Sequence, residues 1–555
     1  FPEKRMARRS LLAALACMAA TVPASAQQAD LILTGGTVWT GVVGAPPLQA
    51  VAIEDGRITG VGSDAEVRAF AGAATREIAL DGRLVVPGFA DAHTHFIGGG
   101  FQLGSVDLRD AATPAEFARR IGDFAAAQPA GRWITGGDWD HELWGGELPQ
   151  RAWIDSLTTA HPVAVQRLDG HMLLANTHAL ELAGITRTTP DPDGGTIVRD
   201  PATGEPTGVL KDEAMSLVFA LQPEPSQDEL DEAFARAQQH ALERGVTMIH
   251  DMGSLSDLRT FQRAHARDEL RMRVYSLVPL ASWRDLAVIV ARDGRGDARL
   301  QWGGLKGFVD GSLGSTTAWF YEPYLDEPGT SGLMVTDTAA LRSRIVSADS
   351  AELHVVVHAI GDRAIDWLLD TYAAAAERNG PRDRRFRIEH AQHLSNAAIN
   401  RFARLDVLAS MQPYHAIDDG RWAEKRIGPE RIQRTYAFRS LLDADAQLLF
   451  GSDWTVAPID PLLGIYAAVT RRTTDGANPD GWVPAQKISV EEALRAYTAA
   501  NAYGAFREEE LGTLEPGRLA DLVVLSENLI VIDPLRMPDV QVDYTIVDGT
   551  VVFER

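Results

Sequence analysis

Residues 84–100 read LVVPGFADAHTHFIGGG, an apolar run that breaks at Pro87-Gly88 and ends on two histidines separated by one threonine. Alternate side chains of an extended strand point to the same face, so His93 and His95 can grip one ion between them. Alone, such a pair is a weak sign of a metal site. The Pro-Gly step before it and the run Gly98, Gly99, Gly100 after it strengthen the reading. Those glycines either let a substrate approach the ion or only turn the chain.

Outward from this point, the chain from 87 to 507 alternates short apolar strands with helical patterns. The strands are GVTMIHDMG, RMRVYSLVPL, GGLKGFVDGS, ELHVVVHAIGD, RFRIEHAQH, DVLASMQPYH and AQLLFGSDW. Between two of them, SQDELDEAFARAQQHALERG carries apolar residues at helical spacing and stops at Gly245. Strand-helix repetition of this length favours a closed barrel over an open sheet. Residues from about 105 to 215, rich in Gly, Pro, Asp and Trp, are too long for a simple connection and are read as an insertion over the barrel mouth. Both flanks are short β-branched segments, LILTGGTVW to REIALDGRLVV at one end and LGTLEPGRLADLVVLS to DYTIVDGTVVFER at the other. Asp55-Gly56, Asp81-Gly82 and Asp548-Gly549 are type I′ hairpin signals. The expected fold is α/β: a (β/α)8 TIM-like barrel over 87–507, with a small composite β-sandwich built from both chain ends, 27–86 and 508–555.

The 555 residues, 45% hydrophobic, suffice for a large core. A formal charge of -23 argues against nucleic acid and anionic membrane surfaces as main partners, because both need clustered Lys and Arg. A small molecule is the natural partner, and a homo-oligomer stays open. After Met6, the sequence Arg8-Arg9, LLAALACMAATV and Pro23-Ala24-Ser25-Ala26 has the three regions of a secretory leader. Cleavage is expected near Ala26, giving an exported protein, periplasmic or secreted, with a lipoprotein through Cys17 as the lesser alternative. FPEKR, before Met6, fits no part of that pattern. Cys17 is the sole cysteine, so a processed chain has no disulfide, no zinc-cysteine site and no cysteine nucleophile. No later run reaches the roughly 18–20 apolar residues of a membrane-spanning helix, and no membrane insertion of the processed chain is expected.

Nearly every barrel strand ends on a residue of metal-ligand or proton-transfer type, and in a barrel these ends converge on one face. In HVVVH, the three valines favour a strand, across which four residues span about 13 Å. One histidine can then ligate. His358 is chosen, since AIGD marks the strand end, and His354 is assigned to buried structure. His390 closes RFRIEH and Asp453 closes LLFGSD in the same way. Each alone reads equally well as a hydrogen-bonded strand end; their joint occurrence makes the case. Lys306 interrupts an apolar strand, where an unpaired ammonium costs several kcal/mol. It pairs with a neighbour such as Asp310, or its amine adds CO2 to give a carbamate able to bridge two cations.

HTH after PGFADA, LKGFVDGSLGS, HAIGDRA, RIEHAQ, GSDWTVAPIDPLLGI and GTLEPGRLADLVVL together resemble the amidohydrolase superfamily. The similarity is to the amidohydrolase family 3 branch, which includes N-substituted formamide deformylase-like and YtcJ-like hydrolases. The resemblance implies metal ligation by His93, His95 and Asp453 at one position and by His358 and His390 at the other, with Lys306, N6-carboxylated, between them. It also implies one or two divalent ions; nitrogen and oxygen ligands suit Zn2+, and Mn2+, Fe2+ or Ni2+ fit as well.

The expected activity is hydrolysis of an amide-type C–N bond of a small molecule, an N-acyl or N-formyl amine, by metal-activated hydroxide. Asp453 serves as general base and then acid. Ester, lactone or phosphoester hydrolysis at the same site is the alternative, and a non-catalytic binding protein the more distant one. His171 and Asn176, in DGHMLLANTHAL, either reach the substrate carbonyl or leaving group or serve as helix cap and packing. Gln412, Tyr414 and His415 are expected to line the pocket, and Trp139, Trp144 and Trp454 an apolar recess.

Overall fold

The computed structural model describes residues 28–168, 170, 172–192 and 195–555; the leader with Cys17 and Ala26 lies outside them, as does His171. Eight parallel strands pair in chain order. They are β1 (Phe89–Thr94), β2 (Val246–Met252), β3 (Arg273–Pro279), β4 (Leu300–Phe308), β5 (His354–Ala359), β6 (Arg387–His390), β7 (Leu408–Met411) and β8 (Leu448–Phe450). A parallel sheet wrapped by helices is covered on both faces, which requires near-continuous apolar runs. Every residue of β2 and β5 is buried accordingly.

The sheet curls until β8 reaches β1. Just beyond β8, the Asp453 amide donates to the His93 carbonyl at 2.7 Å, and the His95 amide donates to the Trp454 carbonyl at 2.6 Å. Deeper in the seam, the side-chain amide of buried Asn501 donates to the carbonyls of both Ala90 and Phe450. The architecture is thus an eight-stranded TIM-like barrel.

Packing accounts for the glycine run after the two histidines. Gly98, Gly99 and Gly100 lie in the helix Phe96–Leu103. A Cβ on Gly99 would stand 2.5 Å from the Trp454 ring, and one on Gly100 1.9 Å from the Ala233 carbonyl oxygen. Ala233 belongs to the helix Gln227–Leu242, which begins in a reciprocal Ser226–Glu229 capping box. Gly100 therefore seats one helix closely on another and Gly99 lets the helix pass the Trp454 ring, whereas a Cβ on Gly98 would meet nothing closer than 3.9 Å.

Two further sheets flank the barrel, the first drawn from residues 29–79 alone and the second from both chain ends. One has four strands, with Ala29–Thr34 between Ala50–Glu54 and Ala71–Ala79; the other has five and joins Leu84–Pro87 to Leu522–Leu525, Val542–Val547 and Thr550–Glu554. They share a core that includes Leu33, Val51, Ile58, Val85, Leu522 and Ile546. Asp55-Gly56 and Asp548-Gly549 turn hairpins with φ of 49° and 72°, and of 48° and 70°. Asp81-Gly82 has the same left-handed geometry, 51° and 84°, yet makes no hairpin. The strand before it pairs in the four-stranded sheet and the strand after it in the five-stranded one, so this turn hands the chain across the sandwich. The region read as an insertion carries a six-stranded sheet of its own, running from Val106–Asp107 to Pro206–Asp212. Among the described residues no helix is long and apolar enough to cross a membrane.

Arg273 on β3 ties barrel to sandwich. Its side chain is 2% exposed and grips Asp521 bidentately, Nε at 2.6 Å and Nη2 at 2.8 Å, while also reaching Asp548. Truncation strands a buried carboxylate without its counter-charge. Arg273→Ala is therefore expected to lower unfolding stability by about 3–5 kcal/mol, read from the shift of the urea midpoint; an unchanged midpoint refutes this role.

Candidate metal centre

The ends of β1, β6 and β8 bring three donors together. Ligand atoms of His93, His390 and Asp453 lie within 4.8 Å of one another, and all three residues are buried. Asp453 Oδ1 stands 3.4 Å from His93 Nε2 and 3.4 Å from His95 Nε2. His390 and Asp453 both occupy left-handed backbone, φ 71° and 60°. At His390 this breaks strand alternation. Glu389 already faces the barrel interior, and the rotated backbone swings the next side chain to the same side.

Hydrogen bonds orient the imidazoles. His93 Nδ1 faces Glu389 Oε2 at 2.6 Å, which leaves Nε2 towards Asp453. His390 Nδ1 faces Gln412 Oε1 at 2.9 Å and lies 4.0 Å from Asp453 Oδ2, so Nε2 is not held by Gln412. Such partners fix the tautomer and ring orientation of ligating histidines. His358 packs against His390, ring centroids 4.5 Å apart, but directs Nε2 at the Gly311 carbonyl, 3.0 Å away. Lys306 Nζ lies 3.0 Å from His93 Nε2.

Burial pushes the Lys306 ammonium down to about 8, against the pull of Glu389 and Asp453. Burial, reinforced by Lys306, lowers His93 to about 4 and His358 to about 3. Both imidazoles are thus neutral at physiological pH, the state that ligates metal. Burial opposes the charge on Asp453, yet the surrounding imidazoles hold it well below the usual carboxylate range. Neutral imidazole nitrogens with one ionised carboxylate form a donor set that fits a divalent cation of the Zn2+ type.

The donors form the floor of a cavity of about 590 Å3. Phe308, Leu313 and Trp422 supply apolar wall, and Asp140, Arg167 and Leu168 reach it from the six-stranded insertion. A concave, largely apolar recess over converging polar groups is the form of a small-molecule site.

Several sequence expectations change here. Lys306 does not pair with Asp310; that carboxylate accepts the backbone amides of Trp319, Ile360 and Gly361 at 2.8–3.0 Å. Asn176 is the N-cap of the helix Thr177–Leu182, 1% exposed. Its Oδ1 accepts from Val163 and Ala179, and its Nδ2 donates to Thr158 and His161, so no polar atom is left for a substrate. Trp139 is core of the insertion, Trp144 packs on Phe117 and Trp153, and Trp454 stacks on His240; none lines the recess. Gln412 is buried behind His390 rather than in the cavity wall, whereas Tyr414 and His415 line it. His354 is held between the Tyr275 hydroxyl and the Arg385 carbonyl, at 2.8 Å each. Sequence reasoning passed over Glu389 and Arg387, although two charged residues at alternate positions of an otherwise apolar strand were a readable signal.

Comparison with known proteins places this geometry. The chain matches the Amidohydrolase family over residues 76–553. It is 44% identical over 515 residues to Protein LONG AFTER FAR-RED 3 of Arabidopsis thaliana, covering 90% of this chain and 88% of that one. It is 33% identical to the Putative amidohydrolase YtcJ of Bacillus subtilis (strain 168), over 94% of this chain and 99% of that one. Among solved structures, an uncharacterized metal-dependent hydrolase from Pyrococcus horikoshii OT3 is similar with a TM-score of 0.76 at 28% identity, covering 91% of this chain and 99% of that one.

The Asn176 geometry separates a structural role from a catalytic one. Asn176→Ala is expected to cost about 1–3 kcal/mol of stability and to leave kcat/KM of any substrate turned over unchanged at a temperature where the variant is folded. A fall in kcat/KM at unchanged stability would return the residue to the substrate site.

Proposed function

The chain belongs to the amidohydrolase family, and from that premise we propose that it hydrolyses an amide-type C–N bond of a small molecule, an N-acyl or N-formyl amine, in a metal-dependent reaction. The observation that carries this reading is the convergence of His93, His390 and Asp453 within 4.8 Å on the floor of the cavity. His93, His95, His358, His390 and Asp453 would hold one or two divalent ions, with Zn2+ favoured by the donor chemistry. A bound ion would supply Lewis-acid polarisation of the scissile carbonyl and would lower the pKa of water to about 7.

The chain's own groups supply the rest. Asp453, ionised and 3.4 Å from both His93 and His95, accepts the proton of the attacking water and returns it to the departing amine, base and then acid in one cycle. Glu389 and Gln412 keep the His93 and His390 rings turned so that Nε2 of each faces the reaction space. Tyr414 and His415 offer polar contacts to the substrate, while Phe308 and Trp422 exclude water from its apolar part. With CO2 added to its amine and a proton released, Lys306 would present a carboxylate able to ligate a cation beside His93, in place of an ammonium that competes for Nε2.

Asp453→Asn is expected to lower kcat by about 10²–10⁴-fold with an unchanged circular dichroism spectrum. Chelation should abolish turnover, and added Zn2+ restore it; wild-type rates in the Asn variant or in the metal-free protein refute the mechanism. The bond class is tested by a panel of N-formyl and N-acyl amines beside esters, lactones and phosphoesters. A higher kcat/KM for the amides supports the proposal. Turnover confined to the oxygen esters replaces it, and metal bound without any turnover removes the catalytic reading.

A further inference from the structure

Beneath the candidate metal centre runs a chain of polar groups shielded from solvent. Glu389, whose Oε2 faces His93 Nδ1 at 2.6 Å, accepts at Oε1 from Arg387 Nε at 2.9 Å. Arg387 Nη1 lies 2.8 Å from His250 Nδ1, and its Nη2 donates to the Ala92 carbonyl at 2.7 Å and to Ser410 Oγ at 3.1 Å. Ser410 Oγ in turn donates to Glu389 Oε2 at 2.9 Å. His93, His250, Arg387, Glu389 and Ser410 are all 0% exposed.

A guanidinium and a carboxylate in the interior of a barrel need each other, since an unpaired buried charge costs several kcal/mol. Pairing alone would be met by any geometry that brings the two together. Arg387 does more. With one plane of donors it holds Glu389 Oε1, so that the other oxygen points at the His93 ring, and it also grips the carbonyl of Ala92, the residue just before His93. Ring and main chain of one candidate ligand are thus fixed by a single side chain. A lysine, with one point of charge and no rigid fork, could not serve these partners in their separate directions.

We propose that Arg387 is the positioning residue of the metal centre, clamping Ala92 and Glu389 so that His93 presents Nε2 to the ion. This rests on the metal-site reading above, and its test needs no substrate.

The full-length protein, stripped of metal, is titrated with Co2+ against a competing chelator while the visible spectrum is recorded. In Arg387→Met the Co2+ dissociation constant is expected to rise about 10–100-fold, with an altered spectrum. Ser410→Ala removes one hydrogen bond from the same carboxylate without emptying the core, and is expected to raise it about 3–10-fold; it keeps the test decisive if Arg387→Met does not fold. Arg273→Met, at a buried arginine at the start of β3 that pairs with Asp521 of the sandwich, should reduce stability and leave Co2+ affinity and spectrum unchanged. Wild-type affinity and spectrum in Ser410→Ala and in any folded Arg387 variant overturn the inference alone. Loss of affinity in Arg273→Met in step with its loss of stability overturns it too, because the effect is then structural. No Co2+ binding by the wild-type protein overturns the metal-site reading and this inference together.

Discussion

One hydrogen bond, from the Asp453 amide to the His93 carbonyl at 2.7 Å, joins the last barrel strand to the first, and the site depends on it. It makes neighbours of two residues from opposite ends of the barrel sequence. Nothing local holds them together; the donors meet because the sheet closes. The His95–Trp454 bond and the Asn501 amide across Ala90 and Phe450 secure the same seam from above and below. The site is therefore complete only once the pairing that closes the barrel has been made.

Closure places charged groups where a barrel is usually filled with aliphatic layers. Arg387, Glu389, His250 and Ser410 occupy that space, and each is bonded to another. Two ligand candidates, His390 and Asp453, also sit in left-handed backbone, which costs a non-glycine residue on the order of 1 kcal/mol or more. These costs fall at the mouth and beneath it. The surrounding strands, buried on both faces, carry the stability that tolerates them.

This distribution decides what the sequence makes legible. Apolar runs at barrel spacing expose the strand order, and polar residues at their ends expose His93, His390 and Asp453, because both are signals of position along one strand. Asp55-Gly56 and Asp548-Gly549 read correctly for the same reason: the turn is local. Asp81-Gly82 misleads, since turn chemistry fixes a reversal but not which sheet receives the next strand. Asn176 and the tryptophans mislead in another way. Their residue types suit a pocket and a core alike, and only the packing of the six-stranded insertion distinguishes the two. Arg387 and Glu389 are legible by their alternation, whereas the inward turn of His390 beside them rests on a backbone angle that no strand pattern encodes.

The contact between Lys306 and His93 adds a constraint of its own. At 3.0 Å, Nζ directs a proton at Nε2, the lone pair that a cation on this floor would use. Ammonium and metal ion are thus rivals for one nitrogen, and they repel one another as well. A depressed lysine eases the conflict by shedding its proton, but a neutral amine still stands where the ligand should be. The proposed carboxylation would resolve it more fully, because a carbamate oxygen would ligate the cation instead of competing with it for Nε2. The contact that makes Lys306 a rival of the ion as an ammonium would place it beside the ion as a carbamate.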